Sequence, residues 1–442
     1  MKNFLQHAHS IETFLSRNRS DTEAGTAWKR TPTGKPSHSF YHGSAGVMVY
    51  YIELYLATDD TDYLSTAISA GDNLLAYVNQ KASAEEFITI GFYSGWPGLV
   101  YALTELFKVS HEPRFKKGAI TALNRITAQA SNIGAGLGWI EPIPFSDITG
   151  ITGTREVIDL SVGSAGVGII YLYAYREGLL SDLELARKTA DRLLEVAEAT
   201  EDGLRWLMMV DMAFPFTAPN FAHGGAGVGY FLADLYKETG DSRYLEAAIS
   251  AADYVKSRSV AQQQGHLVCH NEEQQPPTLF YLGVCHGPAG TGRFMYLLYK
   301  ITGNDNYFDW ITANFLGLLG TGAPEQRCKG LWNNHGQCCG DAGIGDYALF
   351  LYHETGNQHY LDYALRTARE LMNTADSDRG LSWNMAEHRG RPEFVERQTG
   401  YMQGAAGIGS FMLHLATVLE HKPVKLLLPE TPFSYTANGV KP

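Results

Sequence analysis

A short pattern, Gly-x-x-Gly followed by an apolar run, returns seven times along these 442 residues. The instances are HGSAGVMVYYIELY from His42, SGWPGLVYALTEL from Ser94, VGSAGVGIIYLYAY from Val162 and HGGAGVGYFLADLY from His223. HGPAGTGRFMYLLY from His286, CGDAGIGDYALFLY from Cys339 and QGAAGIGSFMLHLA from Gln403 complete the set. Their first glycines, Gly43, Gly95, Gly163, Gly224, Gly287, Gly340 and Gly404, stand 52, 68, 61, 63, 53 and 64 residues apart. Length alone suggests about three domains, but a repeat that runs from end to end overrides that expectation.

Each unit reads alike. The run after the second glycine is apolar almost all round, which predicts a helix buried on every side. A turn of the form Thr-Gly-(Asp/Asn)-x-x-Tyr follows at Thr239, Thr302 and Thr355. It opens an amphipathic helix such as YLEAAISAADYVKS from Tyr244 or YLDYALRTARELMN from Tyr360. Asp or Asn at the start and Lys or Arg near the end suit helix caps and the helix dipole. Every repeat is therefore an inner helix, a turn and an outer helix. The seventh inner helix, about 404–418, has no amphipathic partner after it, while residues 3–17 form an unpaired amphipathic helix before the first motif. Pairing the two closes the array and hides the ends that an open solenoid must cap. The expected fold is an all-α (α/α)7 toroid of seven inner and seven outer helices with short loop strands. It is expected as one domain over 1–442, with 420–442 as a tail.

A net charge of -12 and a pI near 5.7 argue against a nucleic-acid surface, which needs a basic footprint, and against binding anionic lipid. The opening MKNFLQHAHSIETFLSR has polar residues breaking any apolar run, so no signal peptide is read there. No stretch of eighteen apolar residues occurs, so no membrane insertion is expected and a cytoplasmic chain is the default. An odd count of five cysteines, Cys269, Cys285, Cys328, Cys338 and Cys339, points to metal or reactive thiol chemistry.

In a two-layer ring the inner helices run the same way, so the seven Gly-rich turns should gather at one face. Glycine there permits close packing of helix starts. The long connections 131–158, 201–222, 257–284, 320–337 and 375–400 should lie on the same face. Several carry a tryptophan, Trp139, Trp206, Trp332 or Trp383, and loops bearing aromatics over a ring mouth suit a peptide-binding cleft. The tryptophans themselves read as packing. The residue before each first glycine is His42, Ser94, Val162, His223, His286, Cys339 or Gln403, and one earlier it is Tyr41, Tyr93, Ser161, Ala222, Cys285, Cys338 or Met402. His and Cys concentrate in these slots in repeats four to six. A vicinal disulfide between Cys338 and Cys339 is one reading, strained and rare. A zinc site with three protein thiolates and an open fourth position is another, the catalytic pattern. Cys328 or Cys269 would make it a closed structural site, but both lie outside the slots and lack C-x-x-C spacing. The open site is favoured.

These motifs resemble those of the lanthionine cyclases, the LanC family, and the resemblance covers the whole chain. It implies a seven-repeat α/α ring holding Zn2+ on Cys285, Cys338 and Cys339, with Cys-Cys-Gly in place of the usual Cys-His-Gly as in three-cysteine variants. It implies a catalytic His before the fourth-motif glycine, here His223, and a catalytic Asp four residues before the third-motif glycine, here Asp159. Two positions depart: where many members carry Arg and Trp before the fifth-motif Cys, this chain has Tyr281 and Val284. His286, His335 or His42 are the candidates to support the site in that Arg's absence. No kinase or lyase segment precedes the ring, so a stand-alone cyclase is expected to rely on a separate dehydratase.

The implied reaction is addition of a peptide cysteine thiolate to dehydroalanine or dehydrobutyrine in a dehydrated precursor peptide. Asp159 would assist loss of the thiol proton, and His223 would protonate or stabilise the enolate. A third protein thiolate should leave the substrate sulfur more nucleophilic than a Cys-Cys-His site would, with inner-helix N-termini partly offsetting the negative charge. Three alternatives remain. One is intermolecular addition of a thiol such as glutathione, and another is a non-catalytic peptide scaffold with structural zinc. The last is a ring-shaped glycosidase or epimerase, which would need paired carboxylates where these slots hold thiols and imidazoles.

Overall fold

Each of the seven repeated glycines caps a helix. The computed structural model describes residues 2–80, 89–273 and 275–433. Its helices are α1 (Lys2–Arg17), α2 (Ser44–Thr58), α3 (Thr61–Asn79), α4 (Trp96–Ser110), α5 (Pro113–Gln129), α6 (Ser146–Thr149), α7 (Ser164–Arg176) and α8 (Glu184–Glu195). They continue as α9 (Gly225–Thr239), α10 (Ser242–Ser257), α11 (Pro288–Thr302), α12 (Asn306–Gly320), α13 (Asp341–Thr355), α14 (Gln358–Thr374) and α15 (Ala405–Leu419). The inner helices α2, α4, α7, α9, α11, α13 and α15 each begin one residue after a first motif glycine, which sits at the N-cap in extended conformation.

A glycine cap offers no side chain, so the helix starts are satisfied in another way. The segment before each motif folds back, and its carbonyls accept the first free N–H groups. Ser44 donates to Ser37, Ser164 to Val157, Ala226 to Pro219, Asp341 to Asn334 and Ala405 to Gln398, a spacing of seven throughout. This crossing is why the second glycine is needed. A Cβ on Gly227 would lie 2.0 Å from the Phe221 carbonyl oxygen, and one on Gly290 would lie 1.9 Å from that of Val284. Gly227→Ala should therefore cost about 2–3 kcal/mol by overpacking. Gly390→Ala, where a Cβ meets nothing within 4 Å, should change stability by less than about 0.5 kcal/mol. Thermal unfolding of the two variants checks this, and equal melting temperatures would reject the crossing as the reason.

The turn between inner and outer helix is chemically specified. Gly240, Gly303 and Gly356 end their inner helices in the left-handed region at φ 67, 67 and 69°, where glycine avoids the Cβ penalty. The threonine before each bonds back to its helix, and its hydroxyl accepts the N–H two residues on, as Thr239 does from Asp241. Asp241 and Asn357 then cap α10 and α14 by accepting from Arg243 and His359.

The chain falls into two compact units, Met1–Phe87 with Tyr93–Leu123 and Asn334–Pro442, and Ile88–Phe92 with Asn124–Asn333. Both use the same packing device, a glycine two residues past the second motif glycine that receives an aromatic ring from the next inner helix. In the second unit Phe231 of α9 fills the space over Gly168 of α7, and Phe294 of α11 that over Gly229 of α9. In the first unit Phe411 of α15 lies over Gly345 of α13, and Tyr50 of α2 over Gly409 of α15. There the first and last inner helices are thus neighbours. The N-terminal helix α1 packs against α15, and the Tyr50 hydroxyl donates to the Ala8 carbonyl at 2.8 Å.

Among the described residues the connections carry seven two-stranded pairs, of which only Phe280–Tyr281 with Leu331–Trp332 is parallel. The loop tryptophans Trp139, Trp206 and Trp383 do not line a cleft, being 0, 0 and 1% exposed. Each indole N–H donates to a carbonyl in the preceding outer helix, at Ile126, Leu193 and Leu371. Trp28 does the same to Leu15 of α1, so these indoles fasten the hairpins to the helices. Among the described residues no helix is long and apolar enough to cross a membrane.

Candidate metal and proton-transfer site

Backbone hydrogen bonds set the slot residues in register. In the second unit Phe92 donates to Ser161, Ser161 to Ala222 and Ala222 to Cys285, at 2.8, 2.9 and 2.8 Å. In the first, Cys338 donates to Met402, Met402 to Tyr41 and Tyr41 to Tyr93, at 2.8, 3.1 and 2.8 Å. Within each unit, neighbouring inner-helix starts are thereby tied together through the backbone of those slots.

In the second unit, Asp159 is fully buried and its two oxygens have separate tasks. Oδ1 accepts the Val162 N–H at 2.8 Å, which closes the turn into the third motif. Oδ2 lies 2.6 Å from Nδ1 of His223. A carboxylate on Nδ1 fixes the tautomer and leaves Nε2 to exchange protons. The His223 ring stands edge-on to Phe145 at 5.3 Å and tilted against His286 at 5.2 Å. His286, the neighbour of Cys285, is packed among Phe216, His270 and Tyr281, and neither ring nitrogen has a hydrogen-bond partner among the described residues. Burial, then the nearby His270 and His223, holds its pKa well below the usual imidazole range, so it is neutral. Tyr281, where the family Arg would stand, stacks on His270 with centroids 4.1 Å apart. Nothing in the sequence pointed to His270, Phe216 or Phe145, which lie in connections that share no repeat.

In the first unit, the Cys338 and Cys339 sulfurs are 3.7 Å apart, and no vicinal disulfide joins them. Tyr41 donates to Cys338 and accepts from Gln403 at 3.0 Å, while Gln403 accepts from Asn334 at 2.8 Å. Burial and then the charges of Cys338, Cys339 and Glu387 push the Tyr41 phenol well above its ordinary pKa, keeping it a donor. His42 pairs through Nε2 with Glu387 at 3.0 Å. Burial alone would raise the Glu387 pKa, but His42, Arg30 and Gln398 bring it down to about 2. His335 is held through Nδ1 by the fully buried Asp341 at 3.0 Å. The first N–H groups of α13, on Asp341 and Ala342, donate to the Asn334 and His335 carbonyls. These donors are engaged by backbone, so the helix start offers its dipole rather than free N–H groups.

Cys285, Cys338 and Cys339 form a group able to hold a metal ion, with all three sulfurs within 4.8 Å of one another. Thiolates bound tetrahedrally at about 2.3 Å would be roughly 3.8 Å apart, and the adjacent pair already meets that spacing at 3.7 Å. The donor set is soft and suits zinc. Cys269 and Cys328 stand outside this group. Cys269 is buried, which pushes its thiol up to about 11, and Cys328 is exposed.

Paired helices started by capping glycines, with thiols and a carboxylate-held imidazole at those starts, define a class of α/α-toroid proteins. The chain belongs to the lanthionine synthetase C-like family, whose model matches residues 35–426. Among solved structures it is similar to nisin cyclase at 14% identity, with 98% of this chain and 96% of that chain covered and a TM-score of 0.61. It is also similar to cellobiose 2-epimerase from Bacillus thermoamylovorans B4167 at 14% identity, covering 94% and 99% of the two chains with a TM-score of 0.51. No curated protein matches the chain by sequence. At such identities the likeness shows the fold, and it is the all-α toroid class that the repeat predicts.

Proposed function

We propose that this chain is a zinc-dependent lanthionine cyclase, which adds cysteine thiols to dehydrated residues of a precursor peptide supplied by a separate dehydratase. It would act in the cytoplasm, where free thiols persist. The observation that carries this reading is the gathering of three cysteine sulfurs within 4.8 Å in a chain of this family. Cys285, Cys338 and Cys339 are the proposed ligands. When bound, zinc would supply the charge withdrawal that keeps a substrate cysteine as its thiolate near neutral pH.

The substrate sulfur forms a bond to the β-carbon of the dehydro residue, and the π electrons pass to the adjacent carbonyl as an enolate. The enolate then takes a proton at the α-carbon. The thiol loses one proton and the α-carbon gains one, so neither oxidant nor reductant is needed. We assign proton transfer to His223, whose Nε2 is free to exchange while Asp159 holds Nδ1. Asp159 is fully buried with both oxygens engaged, so it acts through His223 rather than on the peptide. Tyr41 would restrain the Cys338 thiolate by hydrogen bonding. His42 and His335 are held by Glu387 and Asp341 and would brace the site, with neutral His286 packed behind His223.

Incubation of the metal-loaded protein with a dehydrated peptide bearing one cysteine tests the reading. Loss of the free thiol without a mass change, blocked by prior thiol alkylation, is the expected outcome. Faster addition of glutathione than ring closure would favour intermolecular chemistry instead. Peptide binding without any loss of thiol would leave a scaffold.

A further inference from the structure

Three places before its first glycine, every repeat has a buried residue. Five of them are apolar: Phe40, Phe92, Leu160, Phe221 and Val284. The slot packs over the second glycine of a neighbouring motif. A Cβ on Gly166 would lie 3.0 Å from the Phe92 Cβ, and one on Gly227 would lie 2.8 Å from the Leu160 Cβ. Motifs six and seven depart, with Gln337 and Tyr401. Gln337 still crosses the glycine, since a Cβ on Gly407 would lie 2.7 Å from its Cγ. Packing there is met by an apolar side chain, whereas a buried amide must also find hydrogen-bond partners.

Both exceptions reach one buried ionic network. Gln337 Nε2 donates to Asp346 Oδ2 at 2.7 Å and to the Gly407 carbonyl at 2.9 Å. The other Asp346 oxygen lies 3.0 Å from His414 Nδ1, and His414 Nε2 lies 3.6 Å from Glu53 Oε1. The Tyr401 hydroxyl donates to that same Glu53 oxygen at 3.0 Å. Burial alone would lower the His414 pKa, but Asp346 and Glu53 raise it to about 10, so the imidazole is charged at neutral pH. Asp346, His414 and Glu53 stand on α13, α15 and α2, and the network therefore joins three inner helices.

Gln337 and Tyr401 also flank one backbone bond. The Cys338 N–H, next to Gln337, donates at 2.8 Å to the carbonyl of Met402, next to Tyr401. The corresponding bond from Ser161 to Ala222 is flanked by Leu160 and Phe221, whose side chains can make no polar tie. Buried charges are a poor source of stability, because well-packed apolar residues often do as well. A locked amide beside Cys338 instead fixes where that thiol stands. We propose that Gln337, held by Asp346, is a positioning residue that sets Cys338 against Cys339 for metal binding. This rests on the reading of the three cysteines as zinc ligands.

Zinc titration of the full chain against a competing chelator, and cobalt titration followed by the visible spectrum, test it. Gln337→Leu puts into the slot the residue that motif three uses there. Its zinc affinity should fall about 10–100-fold, the usual loss when an outer partner of a metal ligand is removed. At saturating cobalt its thiolate-to-metal and d–d bands should differ from those of the parent, which a loss of packing alone would leave in place. Should Gln337→Leu fail to fold with Asp346 short of a donor, Asp346→Asn decides. It keeps the size of the side chain but cannot accept from both His414 and Gln337, and the same two changes are expected. Unchanged zinc affinity, or a saturated cobalt spectrum that superimposes on the parent's, overturns the proposal. A parent protein that binds neither metal removes the ligand reading itself, and this proposal with it.

Discussion

Replacing Cys285 with Ala should strip the metal from the protein and reduce ring closure by on the order of a thousandfold. The expectation rests on charge and geometry together. Cys285 is buried and is one of three thiols whose sulfurs lie within 4.8 Å, so removing it leaves two of the three proposed ligands. Losing an outer hydrogen-bond partner of a metal ligand already costs about 10–100-fold in affinity, and losing the ligand should exceed that. Metal activation of a nucleophile is a matter of several kcal/mol, and about 4 kcal/mol corresponds to the thousandfold loss. Elemental analysis of the purified variant against the parent protein, with a thiol count, is the direct measurement. Cys328→Ala is the control, an exposed thiol outside the group, and should keep full metal and full rate. Cys339→His should retain metal but cyclise more slowly, because an uncharged imidazole leaves the substrate sulfur less nucleophilic. Full metal retention in Cys285→Ala would remove the zinc site, and with it the proposed reaction.

The same residues show where a sequence can be read and where it cannot. The place of each inner-helix start was legible, to about one residue where a range was read, because the Gly-x-x-Gly requirement is local and the chain restates it seven times. Outer-helix caps such as Asp241 and Asn357 were legible for the same reason. The thiols proposed as ligands stood out by occupying equivalent slots, a comparison that only a repeat permits. Trp139, Trp206 and Trp383 pack as expected, but the bond each makes was not legible, since an aromatic in a connection looks alike whether or not its indole donates into an outer helix. Their recurring Leu-x-Trp or Leu-Trp context was the one available signal, and it marked a structural bond. Contacts such as Tyr41 with Cys338 and Gln403 join repeats distant in sequence and have no period. The network of Glu53, Asp346 and His414 is of that kind too: three charges on helices that read as wholly buried, whose balance emerges only when the helices are neighbours.

A second large effect is expected at His223, and it separates chemistry from metal binding. His223→Gln should lower ring closure by roughly 100- to 10,000-fold, the range of general acid–base contributions, while metal content stays at the parent level. The glutamine keeps a polar group of similar reach but cannot carry the proton. Asp159→Asn should give a loss of the same order although Asp159 meets no substrate. Its Oδ2 accepts from Nδ1 at 2.6 Å, and an amide placed there can donate instead, turning the imidazole to the tautomer with its proton on Nε2. A loss of this kind has a stereochemical sign as well. If His223 delivers the proton to one face of the enolate, then Asp159→Asn should slow a still selective reaction. His223→Gln should pass protonation to solvent and yield both configurations at the α-carbon. Chiral analysis of the hydrolysed thioether amino acid distinguishes these outcomes. A single configuration from His223→Gln at an undiminished rate would take proton transfer away from His223 and leave the Asp159 pair as a closure of the third-motif turn, which its bond to Val162 already provides.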